Sequence, residues 1–101
     1  IPDLIPPETP QIGAWGRHYL HHLKTAKRAL YTGLLFSNEL AAHVEEIDRH
    51  AEEMMERLMT QMAAQEGVTE RLKAENQMEW VRRMNNIRSR VEEIVWAELT
   101  T

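Results

Sequence analysis

Three histidines stand close together, His18, His21 and His22, at separations of three and four positions. On a helix that spacing gathers imidazoles on one side, the first requirement of a metal site. The partners such a site needs are missing. A helical zinc protease carries His-Glu-x-x-His, whereas the nearest stretch here, His43-Val44-Glu45-Glu46-Ile47-Asp48-Arg49-His50, has a longer spacing and no Glu after its first His. No Glu-x-x-His occurs, which removes the paired motif of di-iron carboxylate bundles. The absence of Cys excludes thiolate zinc sites, iron-sulfur clusters and Cys nucleophiles. The two serines, Ser37 and Ser89, have no Gly-x-Ser-x-Gly elbow around them, and four scattered glycines form no phosphate-cradling loop. The carboxylate pairs Glu45-Glu46, Glu52-Glu53 and Glu92-Glu93 are sequence neighbours. On a helix their side chains diverge by about 100°, as solvated faces do, instead of converging on a substrate. The expectation is a protein with no catalytic residue, no cofactor and no metal site.

The chemistry that remains is surface contact. Charge is banded along the chain: residues 9–38 carry four cations and no acid, while residues 39–66 sum to -6. Arg17, Lys24, Lys27 and Arg28 can meet phosphate or an acidic protein surface. The favoured alternative is that they face the acidic second segment within the same fold. A second cluster holds Arg82, Arg83, Arg88 and Arg90, with Arg82 and Arg90 opposite the apolar stripe where a groove-lying helix would present them. Flanking glutamates and a pI near 5.7 weigh against nucleic acid, which stays as the alternative partner. Arg88, at the margin of the apolar stripe, is expected to need an acceptor. Met55 and Met59 fall beside the stripe of their segment, where flexible thioethers suit an adaptable protein contact. Trp96 lies off the apolar face of the last segment and is either covered by the first segment or open to a partner.

These residues need helices to position them. A chain of 101 residues, 43% of them hydrophobic, has the length and composition of one compact domain. Residues 1–11 hold all four prolines and read as an extended arm. From 12 to 36, Trp15, Tyr19, Leu23, Ala26, Leu30 and Leu34 recur at helical steps, widened by Leu20, Leu35 and Phe36. Gly33 is the expected place for this segment to bend or break. Residues 39–66 carry the clearest stripe, Leu40, Val44, Ile47, Ala51, Met54, Leu58 and Met62, closed by Gly67 as a left-handed cap. Thr69 caps a short turn over 68–76, and residues 77–99 repeat the stripe with Trp80, Val81, Met84, Ile87, Val91, Ile94 and Val95. No stretch alternates as a strand does. The expected fold is all-α, a small three- or four-helix bundle built on a long antiparallel helical hairpin. No stretch is apolar over the roughly 20 residues a membrane helix needs. No secretory leader is read, and the cytoplasm is the expected compartment.

A family resemblance joins these features. The arm Ile1-Pro2-Asp3-Leu4, Ala29-Leu30-Tyr31 with Leu34-Leu35 before Ser37, Ile47-Asp48, and Gln65-Glu66-Gly67-Val68-Thr69-Glu70 fall in a characteristic order. Met78-Glu79-Trp80-Val81, Met84-Asn85-Asn86-Ile87-Arg88 and Glu92-Glu93-Ile94-Val95 continue it. Together they resemble the transposon-encoded protein TnpV family over nearly the whole chain. The resemblance implies a small accessory protein of bacterial transposons and conjugative elements, and it carries over no reaction and no functional positions. Family members often have a proline near Lys27 and Arg28, and a glycine where this chain has Asn38, departures that bear on where helices break. The expected function is a non-enzymatic protein-interaction module, monomeric or homodimeric, whose partner is a recombinase, transposase or other protein of the element. The alternative is a nucleic-acid-binding accessory or regulator of recombination. A weaker one is an acidic inhibitor whose Glu45, Glu46, Asp48, Glu52, Glu53 and Glu56 occupy the basic cleft of a host nucleic-acid-processing enzyme.

Overall fold

The computed structural model describes residues 12–100; the proline-rich arm lies outside the described residues. Five helices follow in order: α1 (Ala14–Ala26), α2 (Arg28–Phe36), α3 (Leu40–Gln65), α4 (Glu70–Glu75) and α5 (Gln77–Leu99). There is no strand among the described residues, so the all-α class holds. The chain divides into two compact units, residues 1–51 and 52–101, with the boundary inside α3.

The first helical segment breaks at Lys27, not at Gly33. Thr25 Oγ1 donates back to the His21 carbonyl at 2.9 Å and reaches the His22 carbonyl at 3.5 Å. Such back-bonding competes with the helical ladder and loosens the last turn. Lys27 then leaves the helix with φ -126° and ψ 53°. Gly33 stays helical, at the roughly 1 kcal/mol a mid-helix glycine costs relative to alanine.

The two long turns have one geometry. At the end of α3 the Val68 N–H reaches back to the Ala63 carbonyl at 2.8 Å and Gly67 N–H to Ala64 at 3.4 Å. That pair of bonds is a Schellman motif, and its left-handed position is Gly67 at φ 71°, where a side chain would be strained although the space is open. At the end of α2 the same pattern joins Glu39 N–H to Leu34 and Asn38 N–H to Leu35, with Asn38 at φ 63°. Asparagine takes this conformation at tolerable cost because its short polar side chain hydrogen-bonds locally. Lys27 and Asn38 are thus both helix breaks.

In the first unit, α1 begins at Gly13 with no capping side chain and no acid in its first turn. Its orphan N–H at Gly16 is met from a distant point in sequence, by Asp48 Oδ1 of α3 at 2.8 Å. The approach is close enough that a Cβ on Gly16 would stand 2.7 Å from Ile12 Cβ and 3.1 Å from Asp48 Cβ. A turn further on, the Tyr19 hydroxyl and His43 Nε2 share a hydrogen bond of 3.0 Å. Burial pushes the Tyr19 pKa up, keeping the phenol protonated. Tyr19, Leu23, Val44 and Ala51 form the buried apolar set of this unit, and Met54, Val68, Ile87, Val91 and Val95 that of the second.

Several expected placements on the apolar stripes and at their margins are corrected. Val81 and Ile94 lie on the margins of the line through Ile87, Val91 and Val95 and are exposed. Arg88, expected to need an acceptor, is exposed and solvated instead. In the first segment Leu30, Leu35 and Phe36 are exposed, and no residue of α2 is buried.

Replacing Asp48 by Ala removes the side-chain acceptor of the Gly16 N–H at the start of α1 and an anion from its positive end. The expected loss is about 1–2 kcal/mol in denaturant unfolding, with a smaller loss for Asp48→Asn, which keeps an acceptor oxygen but not the charge. Unchanged stability in Asp48→Ala would show that α1 is held by its apolar face alone.

Candidate functional site

The second unit builds a groove from three helices. The Schellman turn at Gly67 folds Val68 inward, where it is buried, and delivers Thr69 to cap α4, accepting from Leu72 N–H at 3.2 Å. Asn76 ends α4 and caps α5 in turn, accepting from Glu79 N–H at 3.2 Å. These caps place the first turns of α5 beside the last turns of α3. Met59 and Ala63 on α3, Trp80 and Met84 on α5, and Val68 between them line an apolar groove of about 380 Å³. Met59 and Ala63 are one turn apart, as are Trp80 and Met84, so each helix contributes one ridge. Lys73 Nζ sits 4.7 Å from the centroid of the Trp80 ring, a cation–π contact that holds the indole at the rim. Thr60 belongs both to this groove and to a neighbouring shallow depression lined by Glu53, Glu56, Arg57 and Gln61.

Of the three residues expected to meet a protein partner, Met59 lines the groove, while Met55 and Trp96 are half-buried and do not. Spacing puts Trp80 and Met84 on the apolar stripe of the last segment and Val68 in the turn, and it gives Ala63 no role. What places them on a groove is the reversal at Gly67, a signal visible in the sequence only as a cap.

The two basic clusters separate in their electrostatics. Glu79, in the first turn of α5, accepts from both Arg82 and Arg83, the latter through Nε at 2.8 Å. Glu66 accepts from Arg90 Nη2 at 2.8 Å. The guanidinium hydrogen bonds hold the carboxyls of Glu66 and Glu79 below the ordinary glutamate range, and the Glu66 bond raises Arg90. Three of the four arginines of this cluster are thus engaged by two glutamates, and Arg88 stands apart from them. Arg17, Lys24, Lys27 and Arg28 are all exposed, and none forms an ion pair among the described residues. The Arg17 guanidinium donates to the Ile12 carbonyl at 3.3 Å, and Lys24 Nζ lies 5.8 Å from the Tyr31 ring centroid. The expected pairing of this band with the acidic second segment is therefore replaced by solvation, while on α3 Glu46 is paired with Arg49 of its own helix.

Among the described residues no group of three or more His, Asp or Glu side chains is placed to hold a metal ion. No helix there is long and apolar enough to cross a membrane.

The described residues form five helices joined by short turns, with no strand among them. Residues 1–100 match the model of the family described as transposon-encoded protein TnpV, and the chain belongs to that family. No curated protein and no solved structure matches it.

Because the folded-state pKa values of Glu66 and Glu79 are depressed, the stability their ion pairs contribute is complete above the ordinary glutamate range. It is lost as pH falls through the lowered values. Carboxyl-detected NMR titration checks this: replacing Arg90 by Ala should move the Glu66 midpoint up and leave that of Glu79 in place. A Glu66 midpoint that does not move would remove Arg90 as the cause.

Proposed function

We propose that this TnpV-family protein works without catalysis, as a helical protein-interaction module of its mobile element, a small bundle built on an antiparallel hairpin. Its partner surface is the groove centred on Met59 and Trp80. The observation that carries this reading is the groove itself: two apolar ridges one helical turn long, an adaptable methionine on each, and a tryptophan at the rim. Methionine-lined grooves accept apolar side chains of varied shape, and tryptophan is a frequent anchor of interface energy. The occupant is an amphipathic helix carrying basic residues. Its apolar side chains enter between Met59 and Met84, and its cations lie over Glu53 and Glu56 in the adjoining depression, which shares Thr60 with the groove. A recombinase or transposase, being a DNA-binding protein, has the basic surface this requires. Met55, one turn before Met59, extends the contact; Trp96 does not line the groove and stands outside it.

Binding of the full chain to the purified recombinase or transposase of its own element, measured by calorimetry, tests the proposal. Met59→Glu should weaken binding at least about tenfold, equivalent to about 1.4 kcal/mol, while Met59→Leu should change it little. Equal affinity for wild type and Met59→Glu overturns the groove as the contact.

Nucleic acid is the second reading, favoured by one observation, the exposure of Arg17, Lys24, Lys27 and Arg28 without carboxylate partners among the described residues. Affinity for duplex DNA that falls steeply with salt and is lost in Lys24→Gln with Lys27→Gln would put it first.

A further inference from the structure

Helix α2 is out of keeping with its surroundings. After Arg28 its sequence, Ala29 to Phe36, contains no charged side chain, yet none of its nine residues is buried. Phe36 is 84% exposed, Leu35 51% and Leu30 47%. A helix apolar on all sides is ordinarily covered. Its half-buried residues, Tyr31 and Leu34, define an inner side. The outer side is formed by Ala29, Thr32, Gly33 and Phe36, at positions i, i+3, i+4 and i+7, all exposed, and a Cβ built on Gly33 meets nothing within 4 Å.

We propose that this outer face of α2 is a homodimer contact, on which α2 of a second copy packs antiparallel across a two-fold axis near Thr32 and Gly33. Three features make the face complementary to itself in that orientation. The first is shape. Antiparallel pairing about the point between positions 32 and 33 sets Phe36 of each copy over Ala29 of the other, large against small at both ends. At the crossing point Thr32 meets Gly33, small enough for the backbones to approach closely.

The second is charge. Lys27 and Arg28 stand at the N-terminal end of α2, the positive end of its macrodipole, where cations are unfavourable. Its C-terminal end has no basic residue in the last turn and is followed by Glu39, exposed and without an ion pair among the described residues. In the same register Arg28 lies opposite Ser37 and Lys27 opposite Asn38. Both cations therefore come to the carbonyl end of the partner helix and to its Glu39. Parallel pairing would instead bring cation to cation. The third is closure: an isologous contact uses the same patch twice and leaves no second apolar face to extend an aggregate.

One nine-residue helix from each copy makes an interface at the low end of specific contacts, below about 1,200 Å² in total. The dimer is therefore concentration-dependent, dissociating in the micromolar range. The partner groove proposed above lies in the other compact unit, so the two proposals stand or fall separately.

Sedimentation velocity of the full chain across that range, with circular dichroism as a control for folding, is the test. Wild type should pass from monomer to dimer with concentration, and Phe36→Glu should remain monomeric with unchanged helicity. Arg28→Glu removes an unfavourable cation from the start of α2 yet sets like charges across the interface, and should weaken the dimer at least about tenfold. Arg28→Glu combined with Glu39→Arg reverses both ends together and should restore it. A wild type that is monomeric throughout, including one that instead binds anionic vesicles through Phe36, overturns the proposal. So does a dimer indifferent to Phe36→Glu, and failure of the double reversal to restore association overturns the antiparallel register.

Discussion

The hydrogen bond from Gly16 N–H to Asp48 is the contact on which the arrangement of the first unit depends. A helix start leaves backbone donors unsatisfied, and Gly13 has no side chain to meet them. The carboxylate that does so comes from α3, 32 positions away, so one bond both completes α1 and fixes where its first turn lies against α3. Glycine at position 16 is the other half of the device, since any Cβ there would press on Ile12 and on Asp48 itself. With the start of α1 so placed, Tyr19 comes within hydrogen-bonding distance of His43, and Leu23, one turn later, is fully buried.

The second unit is ordered by short-range devices. Gly67, Thr69 and Asn76 each finish or begin a helix within a few residues, and Glu79 both favours the positive end of α5 and engages Arg82 and Arg83. The consequence for function is a division of labour between charges. Arginines that resemble a nucleic-acid face on a helical wheel are engaged by glutamates of their own unit, while the cations of the first segment stand solvated. Exposed ion pairs of this kind contribute little to stability, and their main effect is on what the surface offers to a partner.

Helices are legible in this sequence because helical stripes and caps are local. Helix α5 runs over Gln77–Leu99 and α3 over Leu40–Gln65. The left-handed positions at Asn38 and Gly67 followed from the same local chemistry. The break at Lys27 was missed in favour of Gly33, because glycine is the visible weak point, whereas the operative competitor is the Thr25 hydroxyl bonding back into the ladder. Phe36 and Leu35 were assigned to the apolar stripe, and spacing alone could not tell that α2 would turn them outward after the break. Of the candidate contacts, Met59 was legible as a residue beside the stripe; Trp80 and Met84 were not, being on the stripe of a helix whose first turns are left partly open.

The sequence by itself determined the all-helical class, whose stripes and caps rest on residues within a turn or two of one another, and membership in a family, which rests on segments ordered over residues 1–100. Only the tertiary structure decided which charges are neutralised and which apolar residues stay in water. Those outcomes turn on which segments meet: Asp48 with Gly16, Arg90 with Glu66, Met59 with Trp80 across a groove, and, among the described residues, none that buries Phe36. Periodicity assigns a side chain to a face, and only packing decides whether that face is covered.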